Sequence, residues 1–188
     1  MYIQEMFTKY KEWQLLQLFL KNPDKNFYTK ELSRTTGMGS GTVNIFLRNL
    51  HKDEILKKEI VGNVHLYTLN DELSIVKQLK IMNTMLEFEK LNLVNKLVNK
   101  DETVTSIVLY GSHANGENDS KSDLDILIFS KNKKLDNTII NQLEAKLDKT
   151  ISIITLTLPE WNKLKQNDKI FYESILQNHI VLYGSGLT

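Results

Sequence analysis

The chain has 188 residues, 41% of them hydrophobic, and a formal net charge of +1, which supplies enough apolar material for one generous domain or two small ones. It contains no cysteine, which excludes disulfides, thiolate zinc sites and a cysteine nucleophile; its four histidines are scattered, so any metal is expected to be a hard, oxygen-bound one. No apolar run reaches about 18 residues and no basic, apolar leader opens the sequence, so membrane spanning and export are unsupported and a cytoplasmic location is the default.

Trp13, Leu15, Leu16, Leu18, Phe19 and Leu20 predict a packed helix that ends at the turn signal Asn22-Pro23-Asp24. A second helix is expected behind Thr29 as N-cap, and after the break Gly37-Met38-Gly39 a third begins behind Ser40, with Val43, Phe46, Leu47 and Leu50 at helical spacing. Two helices across a short glycine-containing turn are the core of a helix-turn-helix. Residues 55–61 and 64–69 then predict two strands joined by Gly62-Asn63, a hairpin. In its order Thr-Lys-Glu-Leu-Ser, turn, Ser-x-x-Val-x-x-x-Leu-x-x-Leu and basic hairpin, the segment resembles winged-helix regulators. That resemblance implies a partner in double-stranded DNA. The helix from Ser40 would enter the major groove with Thr42, Asn44, Ile45 and Arg48 outward, while Lys30, Lys52, Lys57, Lys58 and His65 meet phosphates. Residues 1–70 hold ten Lys/Arg against seven Asp/Glu, a net of +3, so the electrostatic attraction is modest, and a winged helix used for protein contacts is the competing reading.

From Asp71 to about Val98 there is no glycine or proline, and Ile75, Leu79, Met82, Leu86, Leu93 and Leu97 form a helical stripe, which predicts one long connecting helix. Val76, Met85, Phe88 and Val94 widen it. Such a helix either packs on both flanking domains or forms a homodimer interface. Beyond it strand and helix signals alternate: strand Val104 to Tyr110, a short helix from Ser112, strand Leu124 to Phe129, helix Asn137 to Leu147, strand Ile151 to Leu156, two helices, and a last strand Ile180 to Tyr183. The expected fold is α+β, with a mixed sheet in the C-terminal part. The domains are 1–70, a connecting helix 71–100, and 101–188.

The chemistry is concentrated between residues 108 and 128. A buried strand runs into Gly111-Ser112, a polar loop follows, and Ser122-Asp123-Leu124-Asp125-Ile126-Leu127-Ile128 begins the next strand. Strand alternation puts Asp123 and Asp125 on one side and Leu124, Ile126 and Ile128 on the other. Two carboxylates so close are tolerated mainly where a cation lies between them, and magnesium suits such a pair because it shares its shell with substrate phosphates. A glycine-serine turn that opens a helix offers backbone N–H groups and the Ser112 hydroxyl to phosphate.

This segment resembles the nucleotidyltransferase superfamily of DNA polymerase beta, especially its small prokaryotic minimal nucleotidyltransferase branch: Gly111, Ser112, Ala114, Gly116, Ser122, Asp123 and Asp125 all match the pattern, and the resemblance spans roughly Thr103 to Tyr183. It implies that Asp123 and Asp125 bind magnesium and are catalytic, that Gly111, Ser112, His113, Lys121 and Ser122 hold a nucleoside triphosphate, and that a nucleoside monophosphate is moved onto an acceptor hydroxyl. By the same analogy the acceptor is a partner protein, as in toxin-antitoxin-like systems. Two positions depart from the pattern. Ser152 stands where the family usually has a third carboxylate, which leaves a two-ion site incomplete, and neither Asp148 nor Glu144 has the register to replace it. His113 stands where an arginine often grips phosphate, and the sequence has no arginine beyond Arg48, so His113 or Lys121 must substitute. Two functions therefore remain open: a DNA-bound transferase, or a winged-helix regulator whose degenerate transferase domain binds nucleotide or partner without turnover.

Overall fold

The structure is a computed structural model that describes residue 7, residues 9–132 and residues 137–187. It divides into two compact units, Met1–Leu86 with Asn118–Ser120, and Glu87–Glu117 with Lys121–Thr188.

In the first unit the order is α1 (Lys11–Lys21), β1 (Phe27–Tyr28), α2 (Thr29–Thr36), α3 (Ser40–Lys52), β2 (Leu56–Val61) and β3 (Val64–Leu69). Helix α4 (Ser74–Leu91) follows. The strands form an antiparallel sheet in the order β1-β3-β2. Pairing of Val61 with Val64 leaves Gly62 and Asn63 as a two-residue turn, with Gly62 at φ +59° where a side chain is disfavoured. The core gathers Leu15, Phe19, Leu32, Val43, Leu47 and Leu56, so each helix buries the apolar stripe that its spacing predicts.

Three local expectations are corrected. Thr29 and Ser40 are the first residues of their helices rather than the caps; the N-caps are Tyr28 and Gly39, and neither side chain bonds the helix end. The Thr29 hydroxyl instead donates to Asn44 Oδ1 at 2.7 Å, and Ser40 Oγ donates to Ser33 Oγ at 3.3 Å. Phe27 and Tyr28 pair with Tyr67 and Leu66 as a third strand that the sequence pattern did not reveal, being only two residues long. The single connecting helix is two helices, α4 and α5 (Leu93–Val98), because Asn92 turns left-handed at φ 51° and ψ 42°. Asparagine adopts this conformation readily because its short polar side chain bonds locally, as it does here with Asn95.

The second unit contains β4 (Ser106–Tyr110), α6 (Ser112–Asn115), β5 (Leu124–Phe129), α7 (Asn137–Leu147), β6 (Ile151–Leu156), α8 (Leu158–Asn167), α9 (Lys169–Gln177) and β7 (His179–Gly184). Strand order is β6-β5-β4-β7, parallel between β5 and β6 and antiparallel elsewhere, the mixed sheet of an α+β fold. On one face Val108, Tyr110, Leu127 and Phe129 pack with Trp161 of α8 and Ile175 of α9. Asp125 belongs to this face by alternation, at the strand end where the apolar packing stops. No helix among the described residues is long and apolar enough to cross a membrane.

Candidate active site

Antiparallel pairing sets Tyr110 of β4 opposite Asp125 of β5, and Gly111 follows at the strand's end with φ +73°. A Cβ built on Gly111 would stand 2.5 Å from Oδ2 of Asp125, so the carboxylate rests against the backbone of the turn and only glycine permits the approach. The Gly111 carbonyl accepts from the N–H groups of Ala114 and Asn115 at 3.0 and 3.3 Å, which starts α6, and Gly116 closes it at φ +76°. Ser112 and Ser122 are half-buried and Lys121 is exposed.

Asp125 is half-buried, and burial first, then the charge of Asp123, raises its pKa above the ordinary aspartate value. The Tyr110 phenol is pushed up to about 12, by burial and then by the Asp125 charge. Asp123, one residue before the strand, is exposed. A carboxylate that carries this penalty beside a second one fits a divalent cation, because a bound cation removes both causes. The donor set fits one shared ion better than two. Ser152 is the direct neighbour of Asp125 on β6, in the place of a third carboxylate. Glu144 Oε1 accepts from the Ile151 N–H at 2.8 Å, and Asp148 is exposed in the link before β6 at φ +54°. Among the described residues no group of three or more His, Asp or Glu side chains is placed to share an ion.

His113, on α6, is buried, at 3% exposure. A cation the motif reading missed lies elsewhere: Lys149 Nζ is 3.4 Å from the Ser122 carbonyl, one residue before Asp123. Its proximity comes from the parallel pairing of β5 with β6, in which the Leu124 N–H also bonds the Thr150 carbonyl, and no local motif announces it.

A family model described as polymerase beta, nucleotidyltransferase, matches residues 92–186. The chain belongs to this nucleotidyltransferase family. Among solved structures it is similar to a crystal structure of a toxin-antitoxin with AMP-PNP, at 21% identity over 50% of this chain and 73% of that one, with a TM-score of 0.37. It is also similar to a possible transcriptional regulator from Methanosarcina mazei Go1, at 18% identity over 47% of this chain and 75% of that one, with a TM-score of 0.31. A search of curated proteins finds no match.

Outside the nucleotidyltransferase match, the residues expected at a nucleic-acid surface are mostly on the outside of the first unit. Ser40, Thr42, Asn44, Ile45 and Arg48 of α3 are exposed while Val43 and Leu47 are fully buried. His65 and Lys57 are exposed, but Lys57 Nζ lies 2.6 Å from Glu72, which offsets its charge, and Lys58 is half-buried.

Proposed function

We propose that this chain transfers a nucleoside monophosphate from a nucleoside triphosphate to a hydroxyl of a partner, and that residues 1–70 form a winged helix that binds duplex DNA, joined through 71–100 to a transferase domain at 101–188. The observation that supports the catalytic half is the closeness of Asp125 to Gly111, a carboxylate against a phosphate-type turn. Asp123 and Asp125 hold the magnesium ion. The Gly111-Ser112 backbone and the Ser112 hydroxyl receive the triphosphate, and Lys121 is the exposed cation beside them. When bound, magnesium neutralises phosphoryl charge and assists ionisation of the attacking hydroxyl. The acceptor oxygen forms a bond to the α-phosphorus, the bond to the bridging oxygen breaks, pyrophosphate leaves and the acceptor's proton passes to solvent.

The experiment is incubation with labelled ATP, CTP, GTP or UTP, magnesium and candidate acceptors. Label transfer is expected from the wild-type chain, and a loss on the order of a hundredfold or more in Asp123→Ala and Asp125→Ala. Transfer that persists in both variants overturns the assignment.

Ser152 beside Asp125 favours a second reading, a domain that binds nucleotide without turnover, as part of a DNA-binding regulator. A neutral hydroxyl neither holds magnesium well nor acts as a base. Saturable nucleotide binding with no label transfer to any acceptor is the result that selects this reading.

A further inference from the structure

The registers of the second unit's sheet align one polar row across four strands: Ser152 on β6, Asp125 on β5, Tyr110 on β4 and His179 on β7. Residues paired directly across neighbouring strands project from the same face, so His179 stands on the side that carries Asp125, with Tyr110 between them. Strands lie about 4.8 Å apart, which separates the Asp125 and His179 backbones by roughly 10 Å. The Gly111-Ser112 turn leaves β4 between them, and α6 packs against both β4 and β7. The register thus places the turn between the backbone positions of Asp125 and His179, at a separation comparable to the reach from a nucleotide's phosphate to its ribose.

The His179 ring is oriented by its own strand end. Nδ1 lies 3.0 Å from the carbonyl oxygen of Leu176 in the last turn of α9, and His179 is half-buried. A carbonyl only accepts, so Nδ1 carries the hydrogen in this contact. In the tautomer with the hydrogen on Nδ1, Nε2 carries the lone pair, which pairs with a donor. Ionised phosphates offer acceptors; ribose hydroxyls offer donors. We propose that His179 is a specificity-determining residue whose Nε2 accepts a hydrogen bond from a ribose hydroxyl of the bound nucleoside triphosphate, so that the site selects ribonucleotides over deoxyribonucleotides. The inference rests on the nucleotide-transfer reading and adds the part of the substrate that reading leaves undefined.

Calorimetric titration of the full chain with ATP, 2′-deoxy-ATP and 3′-deoxy-ATP, each with magnesium, tests it. The wild type is expected to bind ATP more tightly than at least one deoxy analogue, by roughly threefold to tenfold for a single hydrogen bond. His179→Ala is expected to bind all three alike. His179→Asn still reaches the Leu176 carbonyl but lacks the distal acceptor, so it is expected to behave like the alanine variant; His179→Gln, whose amide oxygen falls near the Nε2 position, recovers part of the preference. Each comparison is a ratio of two ligands on one folded protein, so a general loss of stability does not imitate the result. A wild type without preference, or a His179→Ala or His179→Asn chain that keeps the wild-type ratio, overturns the inference while nucleotide binding stands. A wild type that binds no nucleoside triphosphate at all overturns the inference together with the transferase reading.

Discussion

Asp125 connects the local chemistry of the site to a measurable property of the folded chain. Its carboxyl is held above the ordinary aspartate range by burial and by the Asp123 charge. The unfolded chain has neither cause, so this group's contribution to stability is fully present below the ordinary pKa of about 3.9 and is lost as pH rises through the raised folded value. At neutral pH the ionised carboxylate therefore destabilises the fold. Replacement by the isosteric amide removes that penalty, and Asp125→Asn is expected to raise Tm in metal-free buffer at pH 7, with the two curves converging toward pH 4. Adding magnesium and nucleotide should reverse the order, because only the wild type gains linkage stabilisation, about 2.7 kcal/mol at a hundredfold excess over Kd. Thermal melts across pH, with and without ligand, decide it; identical melts throughout mean that the carboxylate bears no strain. At this scale the approach of Asp125 to the Gly111 turn was legible because it lies in spacing along one strand-turn-strand segment. The positions of Lys149 and His179 were not, since they are set by pairing of β6 and β7 with strands earlier in the chain, 27 residues from Lys149 back to Ser122 and 69 from His179 back to Tyr110 (179 − 110).

At the level of elements, periodicity predicts order and type well, and it fails where a single residue's conformation decides. Asn92 breaks an otherwise continuous apolar stripe by turning left-handed, a choice that hydrophobic spacing does not encode. The start of α8 shows the opposite case, with its signal written in the sequence as Thr157 followed three residues later by Glu160. The Thr157 hydroxyl accepts from the Glu160 N–H at 3.4 Å, and the Glu160 carboxylate accepts from the Thr157 N–H at 2.9 Å, a reciprocal cap with Pro159 in the first turn. The helix so started places Trp161 against Phe129, on the same sheet face as Asp125. Thr157→Ala is expected to cost about 1 kcal/mol in urea unfolding, while Thr157→Ser, which keeps the oxygen, loses little. Equal stability of the wild-type and alanine chains would show that solvent caps this helix as well as the side chain does.

For the whole molecule, the near-zero net charge conceals a difference between its parts, since residues 1–70 carry a net of +3 and the remainder has fourteen Lys/Arg against sixteen Asp/Glu. On the proposed reading, duplex DNA meets the α3 surface, and the strength of the salt dependence is set by how many cations are available there. Lys57 is offset by Glu72, whose own pKa is lowered by that hydrogen bond and then by the lysine charge, so it contributes little. Arg48, Lys52, Lys30 and the half-buried Lys58 remain, which sets an expected slope of about −3.6 in log affinity against log salt, from roughly 0.9 per neutralised phosphate. Affinity should then fall roughly 150-fold between 50 and 200 mM salt. Arg48→Ala should weaken binding and flatten the slope by about one. Fluorescence anisotropy with a labelled duplex measures both. Ile45 at 49% exposure on α3, and Ile60 at 62% and Val64 at 46% near the hairpin turn, are apolar where a DNA surface is usually polar. Absence of duplex binding at 50 mM salt would therefore discard the DNA reading and assign this face to protein contacts, with the Gly111-Asp125 site left untouched, because nothing in that chemistry depends on α3.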